Sequence, residues 1–494
     1  SNVEVGDTAN DAIRVDAEDV RARVIGEGAN LGVTQGGRIA YALSGGRINT
    51  DFIDNSAGVD CSDNEVNIKI ALNREMVEGR LSPEDRNALL VAMTDAVAEL
   101  VLEDNRLQAL GLSIAENDGA RALPSYIRLI ETFEDSGRLD RRVEGLASND
   151  QLLRRAQDSR GMTRPELAVL LSTAKLALQD AIEKGALTGD PSMDTDLLAA
   201  FPVQMRARAR DAICHHRLRC EIIATRLANR IVNRLSLIHP FELAEEEGCA
   251  LADMASAFVV AERLFDVGAL WRDIDAADMP ETGRVRLLEQ IGGAMRAHMA
   301  SILRIYPAGF RPGDAVRDLS TGVNQLGNCV DNLLTELLLA RAATMEDELE
   351  TLGVPGSLAQ RASQLFKLDG SIGISDLGRS TGGDVEQLAH AFVHLGEAVG
   401  VAWMQAVLSR MQPGDPWERQ LLSGVSRDIQ QVRLVLLARL GPDRPVEAVE
   451  AWIAAQLPRI GQFRHQLERA QAAPSPTVAM LAELAAHVRT LMAR

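Results

Sequence analysis

The chain has 494 residues, 46% hydrophobic and 25% charged, enough for roughly two to four domains with cores of their own. Its net charge of −18, from 52 basic and 70 acidic residues, sets the molecule as a whole against polyanions. No apolar run approaches the ~20 residues of a membrane span, and no signal peptide is expected at the start. Aromatics make up only 3%, so cores must be built from Leu, Ala, Val and Ile, which favours helices. Five cysteines (Cys61, Cys214, Cys220, Cys249, Cys329) lie scattered with no C-x-x-C pair. That usage suits reduced thiols in a cytoplasm.

The chain opens Ser1-Asn2 without a methionine, like the scar of a cleaved tag, and acidic loop-like sequence follows at once. This entry predicts a chain cut from a longer polypeptide in mid-fold. A strand at Arg23-Val24-Ile25 then runs into Gly26-Glu27-Gly28-Ala29-Asn30, in a stretch to Lys69 dense in Gly, Asn, Asp and Ser. A strand ending in glycines, and a helix opening with free amides near Asn55-Ser56-Ala57-Gly58, are the makings of a ligand-facing edge. GEGANLG nearly fits the dinucleotide fingerprint, with Gly26 and Gly28 in place, Leu31 where the third glycine belongs, and Asp51 ~20 residues on. The helix that should follow has only 35–43 before Ser44-Gly45-Gly46 ends it, so a plain turn is the competing reading.

Downstream, 66–77 reads as a helix ending near Gly79. Ser82-Pro83-Glu84-Asp85 supplies a capping serine, proline at N1 and first-turn acids for another, with Leu89, Met93, Val97 and Leu100 at helical spacing. A domain boundary is expected within 111–122. The rest reads as helical throughout: 123–133 up to a Ser136-Gly137 break, then a capping box at Met162-Thr163-Arg164-Pro165-Glu166. Residues 203–238 could form one long helix with an apolar stripe of Ile213, Cys220, Ala224, Leu227, Ile231 and Leu235. Eight arginines along it (206, 208, 210, 217, 219, 226, 230, 234) admit a nucleic-acid surface or, more plainly, interior pairing with acidic neighbours. Cys214, His215, His216 and Cys220 are close in sequence, but helical geometry sends the two cysteines to different faces, against a metal site. Residues 243–270 read as an acidic helix entering an apolar one, and Tyr306-Pro307-Ala308-Gly309-Phe310-Arg311-Pro312-Gly313 is the clearest break. Residues 374–400 read helix, Thr381-Gly382-Gly383 turn, helix; with no Lys or Arg on the second helix, a packed hairpin outweighs a DNA-reading motif. Prolines at 413–416, 442–445 and 474–476 separate the last helices.

GEGAN followed by RINTDFIDNSAGVDCSDNEVNIKIAL resembles the late catalytic region of the large bacterial NAD-specific glutamate dehydrogenases. GMTRPELAVLLSTAKLAL and LRCEIIATRLANRIVNR are similar to that family's C-terminal region, so the resemblance covers most of the chain. It implies NAD as cofactor, glutamate and 2-oxoglutarate as substrates, and a homo-oligomeric full-length enzyme; the net acidity and the lack of a long apolar run set the expectation of no nucleic acid and no membrane. It places Gly28, Ala29, Asn30 and Asn55 at the cofactor, the two asparagines at its nicotinamide end. Val59 would pack the glutamate methylenes and Ser62 would bind its carboxylate. The missing proline after EGAN, Ser56-Ala57 in place of a second Ala-Gly pair, and Asp63 in place of an aromatic are departures in the pocket's detail. The family's catalytic lysine and aspartate are expected upstream; only Lys69, Lys175, Lys184 and Lys367 occur, and Lys69 alone is near the motif. The expected fold is mainly α: an α/β remnant of a dinucleotide-binding domain in 1–115, then a helical region in 116–494, subdivided near 307–313. The helical region as a scaffold without chemistry is the alternative.

Overall fold

Strand structure among the described residues is confined to two short parallel segments, β1 (Val24–Ile25) and β2 (Arg47–Ile48), with Val24 opposite Arg47 and Ile25 opposite Ile48. Parallel pairing needs a crossover, and α1 (Gln35–Leu43) supplies it. Thr34 caps that helix by accepting from the Gly37 amide at 3.1 Å. The computed structural model describes residues 9–28, 32–408, 411 and 416–493, so the first eight residues lie outside it. The chain divides into two units, Ser1–Phe241 and Glu242–Arg494.

In the first unit α2 (Asp51–Asp54) leads into α3 (Ser56–Val77), which starts at the expected Asn55-Ser56 junction and runs unbroken through 66–77. Ser82 caps α4 (Pro83–Ala92), accepting from Asp85 at 3.0 Å. The helical spacing beyond it belongs to a separate helix, α5 (Thr94–Asp118), jointed to α4 at the buried Met93. Gly119, at φ 59°, turns the chain toward α6 (Leu123–Asp135), and Gly137 at φ 68° ends the next turn. After α7 (Asn149–Gln157), α8 (Arg164–Lys184) opens on the expected capping box: Glu166 accepts from the Thr163 amide at 2.9 Å.

The expectation of one helix over 203–238 is wrong. Beyond α9 (Asp194–Ala199) the segment is three helices, α10 (Val203–Arg206), α11 (Arg210–Cys214) and α12 (Arg219–Leu235). The second break is made by His216, a buried ring that accepts from the Leu218 amide at 3.1 Å through Nδ1 and donates from Nε2 to the Asn67 carbonyl at 3.1 Å. Its gain is tertiary, from a partner on α3 that no local pattern reveals. The apolar stripe survives the breaks: Ile213, Ala224, Leu227, Ile231 and Leu235 are buried, and α12 packs along α8. Arg219 and Arg230 pair with Asp194 and Asp196 at 2.5 and 2.7 Å, and Arg226 with Asp104 at 3.7 Å.

The second unit is helical throughout its described residues. The acidic end of α13 (His239–Glu247) carries an ion-pair network: Arg296 bridges Glu242 and Glu246 at 3.0 and 2.6 Å, while Arg427 meets Glu246 and Glu247 at 3.2 and 2.7 Å. Residues 243–270 are broken into α13, α14 (Leu251–Leu264) and α15 (Val267–Ala276), with Gly248 and Asp266 at positive φ. Helix α14 is buried on nearly every side and packs on α16 (Glu281–Ile305) and α17 (Pro312–Leu333), which the Tyr306–Gly313 segment divides as expected. Then come α18 (Glu336–Thr351), α19 (Gly356–Lys367) and the hairpin α20 (Ser371–Thr381) and α21 (Val385–Val399). Gly382 at φ 74° makes its turn, and Asp384 caps the second helix by accepting from Gln387 at 2.8 Å. The last elements are α22 (Val401–Leu408), α23 (Pro416–Leu440), α24 (Pro445–Gln471) and α25 (Val478–Met492), parted at the expected 442–445 and 474–476 prolines. Residues 413–415 of the other proline break lie outside the described residues. No single helix among the described residues is long and apolar enough to cross a membrane.

Candidate functional site

Ligands of parallel α/β folds gather at the carboxyl ends of the strands, and here that edge is made by two short segments. One is Gly26-Glu27-Gly28 after β1; the other is Asn49 to Asn55 after β2. Gly28 is exposed, and nothing stands within 4 Å of where a Cβ would sit on Gly26 or Gly28, so this turn presents open backbone. Ala29 and Asn30 lie outside the described residues.

Beneath the turn, Arg38 of α1 ties the edge together. Its guanidinium meets the buried Glu27 carboxylate through Nε and Nη2 at 2.5 and 2.8 Å, and Nη2 also reaches Asp51 at 3.0 Å. Burial opposes its charge, but hydrogen bonds and proximity to Glu27 and Asp51 outweigh that and hold the guanidinium above its ordinary range. Asp51, the acid at fingerprint distance, is thus held by Arg38. The Glu27 amide donates to Asp54 at 3.0 Å, and Asp54 also accepts from Asn49 at 2.7 Å. Asn49 in turn accepts from Arg164 of α8 at 2.7 Å, which continues to Glu116 at 2.9 Å.

Asn55 stands at the start of α3, its side chain across the first turn with Oδ1 3.3 Å from where a Gly58 Cβ would be. Val59 and Ser62 follow at four and three residues, so all three share one face of the helix. Val59 is 67% exposed, and the exposed Ser62 hydroxyl has no protein partner among the described residues. Ser62 lies two turns inside α3, so it can offer its side chain only, while the free amides belong to the first turn. Lys69 is exposed farther along α3 and paired with Glu65.

Sequence reasoning missed the group next to Val59. Asp60 points to the packed side of α3, and burial first, then the neighbouring Asp104, pushes its carboxyl up to about 6. Asp104 is raised as well, chiefly by burial. Lys175 of α8 donates to Gln108 at 3.0 Å, and burial pulls it down to about 7 with Asp104 partly offsetting that. No local signal marks this cluster, because its charged members Asp60, Asp104, Lys175 and Arg226 come one each from α3, α5, α8 and α12. Among the described residues no group of three or more His, Cys, Asp or Glu is placed to hold a metal.

A family model described as bacterial NAD-glutamate dehydrogenase, catalytic domain, matches residues 1–115, and one described as glutamate dehydrogenase, C-terminal, matches 159–491. The chain belongs to the large bacterial NAD-specific glutamate dehydrogenase family. Relatives named NAD-specific glutamate dehydrogenase include those of Pseudomonas aeruginosa, 35% identical over 98% of this chain, and Halomonas elongata, 34% over 95%. That of Mycobacterium tuberculosis is 32% identical over 99% of this chain. The chain spans only 29–30% of the length of these glutamate dehydrogenases.

Proposed function

We propose that this chain is the C-terminal portion of an enzyme that oxidises L-glutamate with NAD and water to 2-oxoglutarate, ammonia and NADH. Residues 1–115 would complete the cofactor-binding catalytic domain and 116–494 form the helical C-terminal region, with a subdivision near 307–313. The two family models changing over between 115 and 159 support the first boundary. The observation that carries the proposal is the face of α3 made by half-buried Asn55 and exposed Val59 and Ser62, beside the open Gly26–Gly28 turn at the carboxyl edge of a parallel strand pair.

This donor set fits one rim of a nicotinamide site, since open glycine backbone admits a cofactor closely and an amide side chain can both donate and accept. NAD, when bound, accepts the hydride from the substrate α-carbon. Gly28, Ala29, Asn30 and Asn55 would hold the cofactor, Val59 would cover the glutamate methylenes and exclude water, and the Ser62 hydroxyl would donate to a substrate carboxylate. Lys69 does no proton transfer in this scheme; the lysine and aspartate for it would come from the rest of a longer, homo-oligomeric polypeptide. The chain alone would therefore be silent.

The test is Ser62→Ala in a full-length enzyme. Losing a hydrogen bond to a charged carboxylate costs roughly 1.5–3 kcal/mol, which is about ten- to a hundredfold in kcat/KM for glutamate. The KM for NAD should move little. An unchanged glutamate profile would remove Ser62 from the pocket.

A further inference from the structure

The second unit holds a partly open cavity of about 570 Å³ between α16, α17, α21 and α23, within the size range of small-molecule sites. Its walls are mostly apolar, with Leu326, Val330, Ile374 and Phe392 among them. Of the cations in that surface, one stands apart. Arg433 of α23 is only 4% exposed, lies in the cavity wall, and stacks its guanidinium on Phe392 with Cζ 3.8 Å from the ring centroid. Its Nε donates to the Ile429 carbonyl of its own helix at 3.2 Å. Among the described residues its terminal nitrogens have no acceptor, and no carboxylate lies within ion-pair distance.

The other cations in the wall are committed elsewhere: Lys367 pairs with Asp331 at 3.0 Å, Arg419 with Glu242 at 2.6 Å, and Arg341 lies over the Phe366 ring with Cζ 4.8 Å from its centroid. Of the wall's acids, Asp369 is exposed and accepts from Gln430 at 2.7 Å; its charge favours that of Arg433 only from a distance. The remaining acid, Glu397, is not paired with Arg433 either. Burial pulls the Arg433 guanidinium down to about 10, which still leaves it charged at neutral pH. Buried charges in proteins are ordinarily paired, because leaving water uncompensated is costly. An arginine this buried, with free donors facing a large apolar space, is the arrangement that holds an anion on an apolar body.

We propose that this cavity binds a small amphiphilic carboxylate, its head on the Arg433 terminal nitrogens and its hydrocarbon against Phe392, Leu326 and Val330. The probe is sodium decanoate below its micellar concentration, titrated calorimetrically into this chain, with decan-1-ol and decyltrimethylammonium as neutral and cationic controls. Decanoate should bind at least tenfold more tightly than either control and raise the melting temperature. Arg433→Met keeps the bulk, removes the charge, and should reduce decanoate affinity to that of decanol. Gly293 also lines the cavity, with nothing within 4 Å of a Cβ placed on it, so Gly293→Phe should fold and block all three probes. Should Arg433→Met fail to fold, the comparison of decanoate with decanol on the unaltered chain and the Gly293→Phe result decide the matter. Equal affinities for decanoate and decanol, full decanoate affinity in either variant, or no decanoate binding would overturn the proposal.

Discussion

Removing Arg38 should loosen the candidate site from beneath. Its fork holds Glu27, which is 4% exposed, and Asp51, so it joins the turn after β1 to α1 and to the start of α2. Arg38→Met keeps the aliphatic bulk and leaves Glu27 as a buried carboxylate without its cation. Breaking a buried pair from one side costs about 3–5 kcal/mol, most of it the stranded charge. Asp51 is less buried and regains water, so it adds little. Were the first unit to melt as one body, that cost would lower its midpoint by about 6–20 °C, at about 2–4 °C per kcal/mol for its size.

The segment before α3 has few contacts of its own, so the loss can also appear as local opening. Hydrogen exchange separates the two outcomes: local opening deprotects amides of 24–54 while α8 and α12 keep their protection. Glu27→Gln added to Arg38→Met removes the stranded charge and should recover most of the loss. A variant melting within about 1 °C of the parent, at the scale just given, with unchanged exchange over 24–54, would refute the assignment of Arg38 as the tie.

Four further outcomes are expected. Ile231→Asp places a carboxylate at a fully buried position facing α8 and should cost several kcal/mol, enough to unfold the first unit in a thermal melt, while exposed Arg217→Ala should change little. Gly46→Ala should cost roughly 1–3 kcal/mol, because its Cβ would stand 2.2 Å from the buried Tyr41 ring; a denaturant titration reads it. Asp60 binds its proton more tightly folded than unfolded, so its contribution is fully present below its unfolded value near 4 and is lost as pH rises through about 6. Asp60→Asn should therefore melt above the parent at pH 7.5 and close to it at pH 4. Finally, this chain alone should show no glutamate-dependent reduction of NAD and no calorimetric NAD binding tighter than millimolar, since reacting centres must be held at ~3–3.5 Å by both walls of a cleft.

Local chemistry was legible wherever it was sufficient. Thr163 and Glu166 satisfy each other within one turn, and Gly137 and Gly382 take positive φ, so the ends of α6, α8 and α20 follow from neighbours in sequence. The second break in 203–238 was not legible, because His216 leaves the helix for a carbonyl on α3, 149 residues away. The face of Asn55, Val59 and Ser62 follows from spacing once α3 is known to start at Ser56. Arg38 and Asp60 do not follow, because their partners arrive from turns and helices that only the fold assembles.

Composition carries one further step. Of 52 basic residues only four are lysines, and interior pairing with acidic neighbours was the plainer reading of the arginines along 203–238. The fold uses arginine in that way, to join elements. Arg164 spans Asn49, Ser113 and Glu116; Arg296 and Arg427 each bridge two acids of α13; Arg38 holds the turn to two helices. A planar fork with five donors can bridge two acceptors in fixed directions, which a lysine ammonium does less well. The acidic excess and the arginine preference are thus two sides of one device, carboxylates on one element and guanidinium forks on another. Arg433 departs from it, an arginine as deeply buried as Arg38 with a ring and an open cavity where the others have carboxylates. In a chain that pairs its interior arginines so consistently, the partner of this one is best sought in the cavity it faces.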